Sequence, residues 1–387
     1  LKALFINSGL LGMGNLHRFI TTLKDHDPTV HLTQINLAEP LSLGEKLRRR
    51  FWTMRFWPDG FGGVRNADIY RWRAEWHAGL LAARRIRKLE EKEGVFDVLH
   101  FHGQATAYAS LARMRRQPTI ISIDATQDCV MEDATTEWEK LTYQPNVFWD
   151  GKVFQTAALI ISTSRWAADS VRRRYPSCSA SIEIMPYPVI MEYFPEKWMS
   201  ERQERAQVEK YRPVGLFMGG DFFRKGGDVL LAAWKQANLG AKANLKLVTQ
   251  TRKLPDPLPA GVEVFHDIKA YSAPWLDLWR QADFFVMPTQ QEAFGMVYQE
   301  AGAAGLPVIG SKIAAVPEIV LDQETGYLIE RRNEVDLVEA MNKLIDSTEL
   351  RLTLGRKARR HIQTTADSGD YARRLFQHLH SLKKSAK

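Results

Sequence analysis

The chain has 387 residues, too long for one ordinary hydrophobic core, so two domains of comparable size are expected. Its 45% hydrophobic and 25% charged residues fit a folded globular protein, and no run approaches the roughly 18–20 consecutive apolar residues that span a bilayer. A formal charge of +8 favours an anionic partner, and two cysteines, Cys129 and Cys178, exclude a disulfide framework and suit a reducing compartment.

Leu1 leads almost directly into a strand, which points to a trimmed start, and no N-terminal stretch has the layout of a signal peptide. The expected strands of the first half are Lys2–Asn7, Val30–Asn36, Asp97–Gly103, Thr119–Asp124, Ala158–Ser164 and Ser181–Pro186. Helical patterns lie between most of them. The longest runs from Ala67, with Gly94 as its stop signal. The charged stretch around residues 191–212 shows no strand and reads as an interdomain linker. Alternation then restarts with Val214–Gly220, Leu245–Gln250, Val262–Ile268, Asp283–Thr289, Pro307–Ser311 and Gly326–Glu330, followed by a helical tail. Short apolar strands alternating with amphipathic helices indicate parallel sheets covered on both faces. The expected architecture is therefore two doubly wound α/β domains, residues 1–190 and 213–367, facing across a cleft. A last helix, about 368–387, would pack back on the first domain.

Open parallel sheets bind ligands beyond the carboxyl ends of their strands, so the residues just after each strand are the informative ones. The first strand runs into Gly9, Gly12 and Gly14 ahead of a helix. This is either a tight turn or a cradle for a phosphate, and its spacing does not match the dinucleotide fingerprint. His100 and His102 share one face of the third strand. A third ligand in a matching motif is missing, so a metal site is not indicated. A core position is one reading of His102; a hydrogen-bonding position at the strand end is the other. Asp124, Thr126 and Asp128 read as turn residues. In the second half, Gly219 and Gly220 are followed by Arg224, Lys225, Gly226 and Gly227 and then an apolar helix. Two cations beside flexible backbone at the mouth of a sheet suit a diphosphate.

The segment "TQQEAFGMVYQEAGAAGLPVIGS" (Thr289–Ser311) holds Glu292 in a loop and Glu300 on the helix that follows, with Gly295 between. Carboxylates are costly to bury unless they accept hydrogen bonds. Their spacing is too long for an i, i+4 pair, which argues against one shared proton or metal. The two would hold different parts of one extended ligand, and sugar hydroxyls are suitable donors.

With "AGAAGLPVIGS" and "AAVPEIVLDQETGYLI", this segment resembles the retaining nucleotide-sugar glycosyltransferases of glycosyltransferase family 4, which have the GT-B fold. The resemblance is strong over roughly residues 214–354 and weaker in "DVLHFHG" and "ALIISTSRWAADSVRRRYP". It implies transfer of a hexose from a UDP- or GDP-sugar to an acceptor hydroxyl, without cofactor or metal. Glu292 would hold donor-sugar hydroxyls, and Phe294, Gly295 and Met296 would offer backbone amides. Glu300 would accept the ribose hydroxyls, Lys225 and Arg224 would neutralise the diphosphate, Gly12 and Gly14 would approach the phosphate, and His102 would touch the transferred sugar. Several positions depart from the family pattern. Gly220 stands where relatives carry an arginine, for which Arg224 would substitute. "LKLVTQTRK" lacks a following Gly-x-Gly, "MPYPV" replaces an Asn-Gly-Val, and Ala314 and Ala315 replace glycines.

Between Lys46 and Trp76 basic residues mix with aromatic ones, and four of the chain's eleven tryptophans lie between Trp52 and Trp76. As a helix, Leu47, Phe51 and Met54 fall on one side with arginines flanking. The two main readings are docking to an anionic membrane surface carrying a glycan or lipid-linked acceptor and internal packing with solvated arginines. Nothing resembles a nucleic-acid-binding module. These readings make a cytoplasmic enzyme, peripheral at the inner face of the membrane. The alternatives are a catalytically inert sugar-nucleotide-binding module and another GT-B enzyme such as a sugar-nucleotide epimerase.

Overall fold

The structure is a computed structural model that describes residues 1–8, 19, 23, 27–55, 69–134 and 136–385. The chain divides into two units, Leu1–Tyr187 with Gly369–Lys387, and Pro188–Ser368. The twelve expected strands all form, and every strand pairing is parallel.

The first unit contains β1 (Lys2–Asn7), β2 (His31–Asn36), β3 (Val98–His102), β4 (Thr119–Ile123), β5 (Leu159–Ser162) and β6 (Ser181–Ile184), in the spatial order β2-β1-β3-β4-β5-β6. The inner strands β3, β4 and β5 are buried along their whole length. Burial on both faces fits a parallel sheet covered by helices on either side, and it encloses His100, His102, Thr119, Ser122 and Ser162 along with the apolar residues. The helices of this unit include α1 (Leu43–Trp52), which packs on α2 rather than on the sheet, α2 (Tyr70–Glu93), α3 (Gln127–Glu132), α4 (Glu137–Thr156) and α5 (Arg165–Arg174). Gly94 ends α2 with φ 80°, and its N–H donates to Glu90 O. The core joins Leu4, Ile6, Phe101 and Ile121 of the sheet to Leu81, Ile86, Val153 and Phe154 of α2 and α4.

In the second unit β7 (Val214–Met218), β8 (Asn244–Val248), β9 (Val262–Phe265), β10 (Phe284–Met287), β11 (Val308–Ser311) and β12 (Gly326–Ile329) are ordered β12-β11-β10-β7-β8-β9. Its helices include α6 (Lys197–Arg205), α7 (Gly227–Gln236), α8 (Ala273–Gln281), α9 (Met296–Ala303), α10 (Glu334–Asp346) and α11 (Thr348–Thr365). The strand order reverses beside β7 and β10, the kind of point at which open α/β sheets bind ligands.

Residues 191–212, which the sequence suggests as a linker, belong to the second unit and contain α6. Arg202 on this helix explains the charged pattern. It is 3% exposed, and its guanidinium donates to Ala282 O at 2.6 Å, Ala304 O at 2.7 Å and Trp279 O at 3.0 Å. It thereby caps the carboxyl ends of α8 and α9, whose last carbonyls lack helical partners. The final helix α12 (Ser368–Ser385) lies, from Gly369, in the first unit, where Lys383 reaches Asp97 at 3.0 Å and Arg374 reaches Ile184 O at 3.1 Å.

Candidate active site at the strand ends of the second unit

Two loops build the site, one after β7 and one after β10, and these strands are neighbours. Backbone bonds lock the loops together. The Gln290 N–H donates to Arg224 O at 2.9 Å, and the Thr289 hydroxyl to Gln291 O at 2.9 Å and Arg224 O at 3.3 Å. Gly226 makes the close approach feasible. Its φ is 76°, and a Cβ there would stand 1.9 Å from Pro288 O. Any side chain would therefore push the loops apart.

The contact this produces joins Lys225 Nζ to Glu292 Oε2, with the two side chains only 13% and 11% exposed. Burial lowers the Lys225 pKa, and the Glu292 carboxylate opposes that shift. The pair thus places a desolvated ammonium and a carboxylate side by side at the carboxyl ends of β7 and β10. Arg224 takes a different course. Its side chain is 42% exposed, and it donates to Gln291 O at 3.1 Å with Nε 3.6 Å from Asp221 Oδ2.

Beyond Glu292 the chain turns into α9 through Gly295 at φ 90°, where a Cβ would lie 2.6 Å from the Tyr298 ring. Phe294 is buried, and Met296 opens the helix half-buried. Glu300 is 6% exposed and accepts from the Tyr271 hydroxyl at 2.7 Å. The two glutamates therefore have separate partners, an ammonium for one and a phenol for the other. Behind them, the Ala315 N–H donates to Ala293 O at 3.2 Å, so the loop after β11 braces the Ala293–Phe294 peptide. Ala314 in that loop has φ 46°. A left-handed backbone is unfavourable for a residue with a Cβ, so this alanine is strained.

Gly220 stands at the mouth of the sheet, its carbonyl accepting from the Gln250 N–H at 3.1 Å and the Thr249 hydroxyl at 3.2 Å. The nearest atom to a Cβ there is Gln250 Cγ at 3.9 Å, so the position has room for a side chain. His102, the last residue of β3 in the first unit, is 1% exposed and stacks on His100 at 4.2 Å. Burial holds its pKa at about 3, so the imidazole is neutral near pH 7. Neither of its ring nitrogens has a partner among the described residues. Gly12 and Gly14 lie outside the described residues. Among the described residues, no group of three or more His, Cys, Asp or Glu is arranged to hold a metal ion.

Tyr271 has no signature in the sequence. It follows the edge strand β9, 29 residues before the carboxylate it meets, and has φ 62°. Its ring stacks on Trp275 at 4.5 Å and meets Tyr193 edge-on at 5.0 Å. Only the aromatic clustering of Tyr271 with Trp275 and Trp279 could have drawn attention to this loop.

Comparison with known proteins gives a family. Residues 41–193 match the model described as Glycosyltransferase Family 4, and residues 200–361 match Glycosyl transferases group 1. A D-inositol 3-phosphate glycosyltransferase of Xylanimonas cellulosilytica is 24% identical over 77% of this chain and 75% of its own length. Among solved structures, the sucrose-phosphate synthase of Thermosynechococcus elongatus superposes with a TM-score of 0.74 at 16% identity, over 99% of both chains. Anabaena HepE in complex with UDP-glucose does so at 0.66 and 16%, over 98% of this chain and 99% of that one. Two six-stranded parallel sheets flanked by helices are the architecture of the GT-B fold. With both halves matched, the chain belongs to the family 4, group 1 glycosyltransferases.

Proposed function

We propose that the protein transfers a hexose from a UDP- or GDP-sugar to an acceptor hydroxyl with retention of anomeric configuration. The observation that carries this reading is the buried Lys225–Glu292 contact at the ends of β7 and β10, with Glu300 eight residues further on. The barrier to glycosyl transfer is charge separation, in which the anomeric carbon becomes cationic while the diphosphate gains negative charge. A buried ammonium favours that leaving charge strongly, because little water competes with it. Backbone amides at the start of α9 would add to this stabilisation, and Arg224 would close on the diphosphate when the donor is bound. No metal is required in this scheme.

Glu292 would hold hydroxyls of the donor sugar and Glu300 the ribose diol, with Phe294, Gly295 and Met296 presenting backbone and Gly220 leaving room. His102, neutral and buried, suits a hydrogen bond to the transferred sugar. Gly12 and Gly14 are proposed to approach the phosphate. A carboxylate nucleophile would have to sit under the anomeric carbon. Glu292 is assigned instead to the far hydroxyls, so a front-face route is favoured in which the leaving phosphate takes the acceptor proton. The UDP-glucose complex of HepE supports a UDP-sugar donor.

The acceptor is proposed to lie at an anionic membrane surface. Helix α1 has no buried residue, and Leu43, Leu47 and Phe51 on it are 76, 62 and 67% exposed. Lys46, Arg48, Arg49 and Arg50 on the same helix are also exposed. An apolar row flanked by cations suits insertion among acidic headgroups. No helix among the described residues is long and apolar enough to cross a membrane. The two tryptophans of α2 are used differently. Trp72 stacks on Trp76 at 6.0 Å, and Trp76 packs on Trp149 at 4.7 Å.

Calorimetric titration with UDP and GDP, followed by an assay of donor hydrolysis, tests the central reading. Binding with turnover supports it; binding without turnover identifies an inert sugar-nucleotide module.

A further inference from the structure

The first unit contains a second pair of acids that plays no part in the scheme above. Glu75 on α2 and Asp150 on α4 meet through buried neutral groups. The Tyr108 hydroxyl lies 2.6 Å from Asp150 Oδ1 and 3.4 Å from Glu75 Oε2. Gln127 links the same two acids, its backbone N–H reaching Asp150 Oδ2 at 2.9 Å and its side-chain amide reaching Glu75 Oε1 at 2.9 Å. Asn146 donates to Glu75 Oε2 at 2.6 Å, and Gln104 to Asp150 Oδ2 at 3.2 Å and Ala125 O at 3.1 Å. Asp150, Tyr108 and Asn146 are at most 1% exposed.

The charge count does not close with both acids ionised. Among the described residues, Arg71 on α2 and Tyr143 on α4 face Glu75, and Tyr175 just after α5 faces Asp150, with Asp128, Cys129 and Arg174 beside Tyr175. Asp128 is balanced by Arg174 at 3.1 Å. Among the described residues, Arg71, whose guanidinium lies 4.4 Å from the centre of the Tyr143 ring, is the cation facing the pair, and its field favours an ionised Glu75. Two ionised carboxylates facing one guanidinium leave an uncompensated charge in a site from which water is excluded. The cluster is also short of donors. Gln127 Oε1 and Asn146 Oδ1 find none among the described residues.

We propose that Glu75 and Asp150 share one proton through the Tyr108 hydroxyl, and that this proton holds the loops following β3 and β4 in place. In one arrangement Asp150 carries the proton and donates to Tyr108 Oη, while the Tyr108 O–H donates to ionised Glu75. In the other, Glu75 carries it and donates to Tyr108 Oη, while the Tyr108 O–H donates to ionised Asp150. Each arrangement holds one acid proton, one phenol proton and one negative charge, so moving between them requires only that two O–H bonds exchange ends. The loops are tied in through Gln104, two residues past His102, and through Ala125 and Gln127, which follow β4. The pair thus acts as a positioning device at the carboxyl ends of the two central strands. Burial supports it by raising both acids, Asp150 to about 7 even against the hydrogen bonds from Tyr108 and Gln127. This inference does not depend on which donor or acceptor the enzyme uses.

The test compares the melting temperature from about pH 5 to about pH 9 in wild type, Glu75→Gln, Asp150→Asn and the double variant. An acid raised in the folded state contributes stability that is present at low pH and is lost as pH rises through about 7. Wild type should therefore lose several degrees more than either single variant over this range, and the double variant should behave like the singles. The same fall in wild type and both singles, or independent and additive losses, would overturn the shared proton. Hydrogen exchange at about pH 9 reads the loops. Gln104 and Gln127 should exchange about tenfold faster in wild type than in Glu75→Gln, and equal rates would overturn the positioning role. If the variants do not fold, wild-type infrared spectra decide. A carboxylic-acid band at about pH 6 that vanishes by about pH 9 is expected, and its absence at about pH 6 contradicts the proposal.

Discussion

Both units bury carboxylates near the carboxyl ends of parallel strands, but they neutralise them differently. In the second unit Glu292 faces the ammonium of Lys225, and the pair keeps a little exposure. In the first unit Glu75 and Asp150 are surrounded by amides and a phenol, with Arg71 nearby. The difference reflects what each site must do. A matched ion pair can exchange one partner for a charged ligand, because the ammonium released by Glu292 can turn to a diphosphate. A proton held among amides has no such exchange to make, and its natural use is to hold backbone. On the proposed reading, opposite charges mark the end that binds the donor, and a shared proton marks the scaffold.

The comparison breaks first at Lys225. Lys225→Ala and Glu292→Ala should each lower turnover by about 100- to 1,000-fold, as removal of one preorganised electrostatic partner usually does. Circular dichroism should find both variants folded, and near-normal activity in both would remove the site assignment. Because burial depresses the Lys225 pKa, the alkaline limb of donor binding should fall below the ordinary lysine range. Above that limb the amine is neutral and the diphosphate loses its counter-charge. A limb that persists unchanged in Lys225→Arg would point to another group.

Glu300 sharpens the contrast, since its partner is a phenol although it lies in the unit proposed to bind the donor. Glu300→Gln should weaken UDP binding by about 10- to 100-fold, the worth of hydrogen bonds to a charged group. The loss should be smaller for a nucleotide lacking ribose hydroxyls. Helix α1 comes next. Leu47→Glu with Phe51→Glu should reduce sedimentation with acidic-lipid vesicles several-fold and leave hydrolysis of free donor unchanged. Vesicle binding that survives both the double variant and high salt would exclude α1 as the docking element. The smallest effect is expected at Ala314. Ala314→Gly should raise stability by about 0.5 kcal/mol in chemical denaturation, as relief at φ 46° outweighs added chain entropy.

Much of this was legible in the sequence because parallel sheets give strong local signals. β3, β4 and β10 are buried on both faces, so β10 reads as an unbroken apolar run and β3 and β4 as largely apolar ones, visible without their partners. The Lys225 and Glu292 positions stood out for a related reason: each lies in the loop after such a strand, Lys225 just before Gly226 and Glu292 three residues before Gly295. Arg202 was not. Its charge resembled linker composition, and its role emerges only when α6 meets the ends of α8 and α9, some 77 to 102 residues away. Tyr271 and the Glu75–Asp150 cluster were hidden in the same way. Each contact joins elements far apart in the chain, and no short motif records a hydrogen bond formed across 29 or 42 residues. The exposure of Leu47 and Phe51 was also undecided, because an amphipathic pattern shows that a face is apolar but not what covers it.

The most direct measurement is calorimetric titration of UDP and of uridine into wild type and Lys225→Ala. If Lys225 neutralises the diphosphate, the variant binds UDP at least tenfold more weakly while uridine binding is unchanged. Equal losses for UDP and uridine, or no loss for either, would contradict the assignment of the chemistry to the Lys225–Glu292 site.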